Sequence, residues 1–359
     1  MTAVETFKTA RQPWIDRIRW VTVLLVVFYH VLYQFNSVGV IRNIDAPGIP
    51  LLDAPLYFLY PWFMCLLFLV AGISARYSLK KRTGKAFLKN RARRLLLPSI
   101  AGIFVLGWTT GWVTSHMAEY FVPDGLPGIV NYLIWCLSGI GPLWFAQELF
   151  AGCLVLLLLR AIDKNDRLWQ LGGKVGLGTL IVLGFAVWGS SYLLITPMVE
   201  VYRNGIYWFM FLMGYYIFSH EEIIDRLAKV HVPLLIAGCL LGVAYTVYYF
   251  GQNYTTRTCL QSAFTNGYAW VMILALLGTF KARWTRTSPL SDYLTRNNFA
   301  IFALHNPLLV LIAYFVTAYL SVPVWADYLL TFLGTAVLLL PFCELVHRIP
   351  IIRTLLLGE

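Results

Sequence analysis

Long, continuous apolar runs, separated by short polar segments, constrain this chain more than any other feature. The first lies near Arg19–Phe35 and others follow up to the C-terminus. Their apolar residues do not alternate, so they read as helices and not as barrel strands. About 20 apolar residues in a helix cross the hydrocarbon core, and a span in lipid must satisfy its own backbone hydrogen bonds. Ten spans are expected, over 17–36, 55–77, 95–116, 142–160, 176–196, 205–219, 233–250, 262–280, 298–319 and 326–346. The expected fold class is therefore all-α, a polytopic integral membrane protein with about ten transmembrane helices. Only 13% of the residues are charged, whereas a soluble domain carries about 25%.

The basic residues give the spans a direction. With both termini cytoplasmic, 25 of the 28 Lys and Arg fall on the inner side. Arg42, Arg203 and Arg257 alone fall on the outer side. Positive residues are retained in the cytoplasm during insertion, so this partition supports both the count and the orientation. The net charge of +11 is then mostly topology, and a nucleic-acid partner is not expected. The segment 76–94, RYSLKKRTGKAFLKNRARR, holds nine basic residues and no acidic one. Two readings fit it: adhesion to anionic headgroups of the bilayer, or docking of a phosphorylated cytosolic ligand.

The expected organisation is a cytoplasmic tail over 1–13, one membrane domain over 14–347 and a second cytoplasmic tail over 348–359. The first apolar run lacks a small-residue cleavage site and is expected to stay as a span. Cysteines 65, 136, 153, 239, 259 and 343 show no CxxC or Cys/His clustering, so they read as packing residues and no metal site is expected. Loops 37–54 and 117–131, rich in Pro, Gly and Asp, are expected to shape an outer vestibule. The Asn253-Tyr254-Thr255 sequon carries little weight, since such triplets arise often by chance.

Ionisable residues inside spans are costly and are functional candidates by default. Arg19 and His30 are eleven residues apart, which places them on one helix face about 16 Å apart along the axis. Arg19 then lies near the inner boundary and His30 toward the outer half. Glu148 enters from the outside in GPLWFAQELF at a similar depth, where a carboxylate could orient an imidazole. The ninth span carries His305-Asn306-Pro307, whose proline frees a carbonyl one turn earlier. Structural hydrogen bonding accounts for these polar residues as readily as function does.

These stretches resemble the membrane acyltransferase-three family, which includes O-antigen acetylases and glucan-modifying proteins. WIDRIRWVTVLLVVFYH is similar to that family's first span, its Arg-x10-His signature falling on Arg19 and His30. The segment FLVAGISARYSLKKRTGKAFLKNRARRLLLP is similar to the second span and basic loop, with Arg-x-x-Arg at Arg91 and Arg94. PLWFAQELF matches a Leu-Trp-Phe element at Leu143, Trp144 and Phe145, and FALHNPLL a late element at His305. The resemblance runs nearly end to end. One departure stands out, since many relatives have Ser-Gly where this chain has Ala71-Gly72. No fused hydrolase-like domain of the kind some relatives carry is evident, so acceptor binding is expected to use the membrane domain.

The resemblance implies transfer of an acyl group, acetyl or succinyl, from cytosolic acyl-coenzyme A to a hydroxyl or amine of an extracytoplasmic carbohydrate or glycolipid. Acyl-coenzyme A, with acetyl-coenzyme A the simplest case, is then a co-substrate, and no bound cofactor is expected. His30 is expected as general base and Glu148 as its orienting carboxylate. Arg91 and Arg94 are expected on the donor phosphates and Arg19 between that loop and the interior, with Trp144 walling the pocket or stacking on a sugar face. The resemblance does not identify the oxyanion stabiliser; His305 and Asn306, which are expected to bind substrate, could serve. The expected location is the cell membrane, inner or plasma, with the oligomeric state open to a homo-oligomer. The rival reading is a transporter, because ten spans with buried ionisable residues also describe a carrier.

Overall fold

The structure, a computed structural model, describes residues 12–117, 125–194 and 203–359. Helices alone form the framework of the described residues, with no strand among them. Besides two short helices, Arg167–Gly172 and Arg257–Leu260, they are in chain order α1 (Pro13–Tyr33), α2 (Pro50–Leu79), α3 (Gly84–Met117), α4 (Gly128–Ser138), α5 (Gly141–Ile162), α6 (Leu177–Ser190), α7 (Asn204–Tyr216), α8 (Glu221–Lys229), α9 (His231–Tyr249), α10 (Ala263–Arg283), α11 (Pro289–Tyr319), α12 (Val324–Arg348) and α13 (Pro350–Leu357). Their starts follow local chemistry. Pro13 and Pro289 occupy first-turn positions, where a missing N–H costs nothing. Thr83, Ser262 and Ser288 cap α3, α10 and α11 by accepting from the amides of Ala86, Thr265 and Ser291.

Seven helices, α2, α3, α5, α9, α10, α11 and α12, are long and apolar enough to cross a membrane. The expected spans over 17–36, 176–196 and 205–219 correspond to α1, α6 and α7. Helix α1 has 21 residues but carries Asp16, Arg17 and Arg19 in its first two turns. Helices α6 and α7 are short, with 14 and 13 residues, or about 20 Å each at 1.5 Å per residue. Residues 195 and 196 of the fifth expected span, residues 118–124 of the 117–131 loop and residues 1–11 of the N-terminal tail lie outside the described residues.

Helix α4 was not among the expected spans. Its 11 residues reach only about 16 Å, which is half a bilayer. It packs on the second half of α3 through mutual backbone contact: a Cβ on Gly111 would lie 2.0 Å from the Trp135 carbonyl oxygen, and one on Gly139 would lie 1.8 Å from that of Gly107. Lipid offers no hydrophobic drive for helices to associate, so close approach at small residues carries the packing.

The crossing of α2 and α7 works the same way. A Cβ on Gly72 would lie 1.9 Å from the Phe211 carbonyl oxygen, and one on Gly214 would lie 1.9 Å from that of Leu69. Both obstacles are backbone, so no side-chain rotation relieves them. Gly72→Val is expected to destabilise the protein by at least about 3 kcal/mol, the upper end of ordinary overpacking. A fall in the unfolding midpoint of purified protein checks this, and an unchanged midpoint would mean that the helices separate freely. The Gly of Ala71-Gly72 thus has a packing reason of its own, apart from the residue before it.

Helix α1 is central and packs against α2, α10, α11 and α12. Helix α3 opens into wide π-helical turns over Ala92–Leu96 and Ile103–Gly107. Pro98 lacks the N–H that would bond the carbonyl of Arg94, which favours the first opening. The expected tail over 348–359 carries α13. It packs on α3, α11 and α12, and Gly358 ends it in the left-handed conformation, φ +69°, where a Cβ would lie 2.2 Å from the Arg93 carbonyl oxygen.

Candidate active site

His30, near the C-terminal end of α1, faces His305 of α11. The His30 Nδ1–His305 Nε2 distance is 3.4 Å and the ring centroids are 4.9 Å apart. His30 Nδ1 also lies 2.8 Å from the Val26 carbonyl oxygen, one turn back. A carbonyl only accepts, so His30 Nδ1 carries a hydrogen and Nε2 carries the lone pair. The same logic holds for His305, whose Nδ1 lies 2.8 Å from the Phe302 oxygen and 3.2 Å from that of Ile301. Its Nε2 therefore offers a lone pair to His30 Nδ1–H. Backbone carbonyls assign both tautomers, and they do so because a helical His can reach back one turn.

This differs from the carboxylate–imidazole pair expected from the sequence. The imidazole next to His30 is His305, and the tautomer-holding contact is Val26. Glu148 is buried on α5, one turn beyond Trp144, where the Trp208 indole of α7 donates to its backbone carbonyl at 3.2 Å. Equal depth, which follows from counting residues along a helix, did not specify which helices are neighbours.

The Leu143-Trp144-Phe145 element ties three helices together. The Leu143 side chain fills the notch at Gly102 of α3. The Trp144 ring lies 5.3 Å from that of Tyr207 on α7, and the Phe145 ring 5.2 Å from that of Phe302 on α11. The turn before it depends on Gly141, which is left-handed at φ +51° and sits where a Cβ would be 2.6 Å from Asn306 Nδ2. Glycine alone among the residues suits both demands. Asn306 is buried and thus lies against the turn that presents Trp144.

Tyrosines surround the histidine pair. Tyr29 meets the His30 ring edge-on at 5.3 Å, and its hydroxyl is 2.9 Å from that of Tyr254. Tyr60 lies 5.9 Å from the Tyr29 ring and 4.9 Å from the Tyr254 ring. The loop 37–54 is closed and knit to the bundle: the Ser37 amide and hydroxyl donate to Asp53, and the Ile49 amide donates to the Tyr328 hydroxyl of α12 at 3.0 Å. Asn253 of the sequon donates to the Gly39 carbonyl at 3.0 Å, which is a structural contact.

At the other end of α1, Arg19 donates to the Ser74 hydroxyl of α2 and lies 3.5 Å from Asp16. Arg91 is near enough for its charge to act on Arg19. Its guanidinium lies 5.0 Å from the centroid of the Phe87 ring, and its Nε is buried with no hydrogen-bond partner. Arg94 is exposed. Arg76, in the same basic segment, is held elsewhere: it pairs with Asp166 at 2.6 Å, bonds Tyr215 at 3.1 Å and stacks on Trp169 at 4.2 Å. The structure thus lets the charge of Arg91 reach Arg19, leaves Arg94 on the surface and engages Arg76 with Asp166.

Two levels of chemistry therefore share α1, a histidine pair and a pair of arginines about 16 Å apart. The family model described as an acyltransferase domain matches residues 12–344, which include both levels. The chain belongs to the acyltransferase-three family. With its apolar helices, it is a membrane acyltransferase. No curated protein and no solved structure gives a significant match to the chain. Within this membrane acyltransferase, the residues that sequence reasoning did not single out are Tyr29, Tyr60, Tyr207 and Tyr254. Aromatic residues are abundant in every apolar run, and nothing in their spacing marks these four.

Proposed function

We propose that this acyltransferase moves an acetyl or succinyl group from acyl-coenzyme A, at the cytoplasmic face, to a hydroxyl or amine of a carbohydrate or glycolipid at the outer face. The observation that carries this reading is the two-level arrangement along α1. The charge of Arg91 reaches Arg19, and an anion bound nearby would relieve that repulsion. Phosphates of the donor suit that place, since guanidinium forks bind phosphate with parallel hydrogen bonds. Arg94 adds charge at the entrance. The pantetheine arm would run along α1, so that the thioester meets His30 about 16 Å away.

In this proposal His30 Nε2 takes the proton of the acceptor hydroxyl as its oxygen attacks the thioester carbonyl. The imidazolium that forms shares its Nδ1–H with the Val26 carbonyl and the His305 lone pair. As the tetrahedral intermediate collapses, the carbon–sulfur bond breaks and the thiolate recovers the proton from Nε2. The products are the acylated acceptor and free coenzyme A. In the tautomer that its carbonyl neighbours impose, His305 has no proton to offer an oxyanion, which leaves the Asn306 amide as the proposed donor. Trp144 would stack on a sugar face, and Glu148, one turn further on, would accept from sugar hydroxyls.

The proposed topology has ten spans, α1, α6 and α7 joining the seven longer helices, in the inner or plasma membrane with both termini cytoplasmic. The 25-to-3 partition of basic residues supports it. Purified protein supplied with acetyl- or succinyl-coenzyme A is expected to release free thiol in step with acylation of the acceptor. Movement of a solute across proteoliposomes with the thioester intact would overturn this reading in favour of a carrier.

A further inference from the structure

Arg203 is one of three basic residues outside the cytoplasmic set, and it is the buried one, 3% exposed at the start of α7. A guanidinium stays protonated in any protein environment. Burying that charge is costly unless a counter-charge and hydrogen bonds compensate it. Among the described residues, no carboxylate forms an ion pair with Arg203. Its hydrogen-bond contacts are the Leu260 carbonyl, at a long 3.4 Å, and the phenol of Tyr207, whose ring centroid lies 5.9 Å away. Among the described residues, the side chains whose electrostatics reach it are Tyr207, Cys65, Tyr60 and Tyr245, all of them neutral.

The same aromatic side chains wall the candidate active site. Tyr207 neighbours Trp144, and Tyr60 neighbours Tyr29, which touches His30. Arg203 is thus a positive charge set into the wall of the chamber, on the acceptor side in the proposed topology. Among the described residues, its five N–H groups meet one carbonyl and one phenol. We propose that Arg203 recognises an anionic group, a carboxylate or a phosphate, that enters the chamber with a substrate. This rests on the acyltransferase reading and narrows its substrate class. The anion has two sources, the far carboxylate of a dicarboxylic acyl group such as succinyl, or an acidic group on the acceptor.

Full-length protein in nanodiscs tests this without turnover. Succinate and inorganic phosphate, each in the millimolar range at fixed ionic strength, are expected to raise the unfolding temperature of the wild type. They are expected not to raise that of Arg203→Gln, while Arg203→Lys keeps part of the response. No response in the wild type overturns the proposal, whether or not the glutamine variant folds, and so does an equal response in both. Kinetics then assign the source. If the anion is on the acyl group, Arg203→Gln or Arg203→Lys lowers the kcat/KM ratio of succinyl- to acetyl-coenzyme A by tenfold or more. If it is on the acceptor, the same fall appears in the ratio of acidic to neutral acceptors. Both ratios unchanged would overturn the proposal. A protein that binds the anions through Arg203 but cleaves no thioester would sink the acyltransferase reading and leave the anion site standing.

Discussion

Replacing His30 by alanine is expected to lower acyl transfer by about 10²- to 10⁴-fold, the usual contribution of a positioned general base, with the fold retained. The expectation rests on the tautomer. The Val26 carbonyl, 2.8 Å away, holds a hydrogen on His30 Nδ1 and leaves the lone pair on Nε2. Alanine removes that lone pair. It costs little packing, because His30 is partly exposed and its neighbours Tyr29 and His305 keep their own bonds to Tyr254 and Phe302. The measurement is thioester consumption with acceptor present, beside the unfolding midpoint. His305→Ala separates the two rings. It removes an acceptor for the Nδ1–H, not the base, so a smaller loss is expected, about tenfold for one hydrogen bond to a charged group. Full activity in His30→Ala would end its assignment as base. Equal losses in the two variants would mean that the rings act as a unit.

Much of this arrangement was legible before any coordinates. Arg19 and His30 were placed on one face at two depths by the period of a helix, and α1 carries them so. The partner of His30 was not legible, because neighbouring helices in a bundle are chosen by how their surfaces meet. That meeting is set by details such as Gly72 against Phe211 and Gly214 against Leu69, which a hydropathy pattern does not encode. Helix α4 escaped for a related reason. Its 11 residues are too few for a span, and it is stable only because Gly107, Gly111 and Gly139 let its backbone lie on that of α3. The nine basic residues of 76–94 looked equivalent as a string. Packing divides them: Arg76 is held by Asp166, Arg91 lies against the Phe87 ring with its Nε buried, and Arg94 stays outside.

That division makes the second large effect specific. Arg91→Gln is expected to raise the KM for acyl-coenzyme A by about 10- to 100-fold, since a hydrogen bond to a charged group contributes about 1.5–3 kcal/mol and each 1.4 kcal/mol is tenfold. The effect should fall on KM and leave kcat nearly unchanged, because in the proposed site the phosphates would lie about 16 Å along α1 from the reacting carbon and would bind equally in the ground and transition states. Arg94→Gln should raise KM much less, since an exposed charge acts through screening solvent. Salt distinguishes the two further. Raising ionic strength should weaken donor binding in the wild type and remove most of what Arg94 adds, while the Arg91 effect persists, because partly buried pairs are screened less. If the two variants lost donor affinity equally, and salt abolished both losses, the basic segment would be acting as a diffuse surface charge. In that event the approach of Arg91 to Arg19 would have no part in holding the donor.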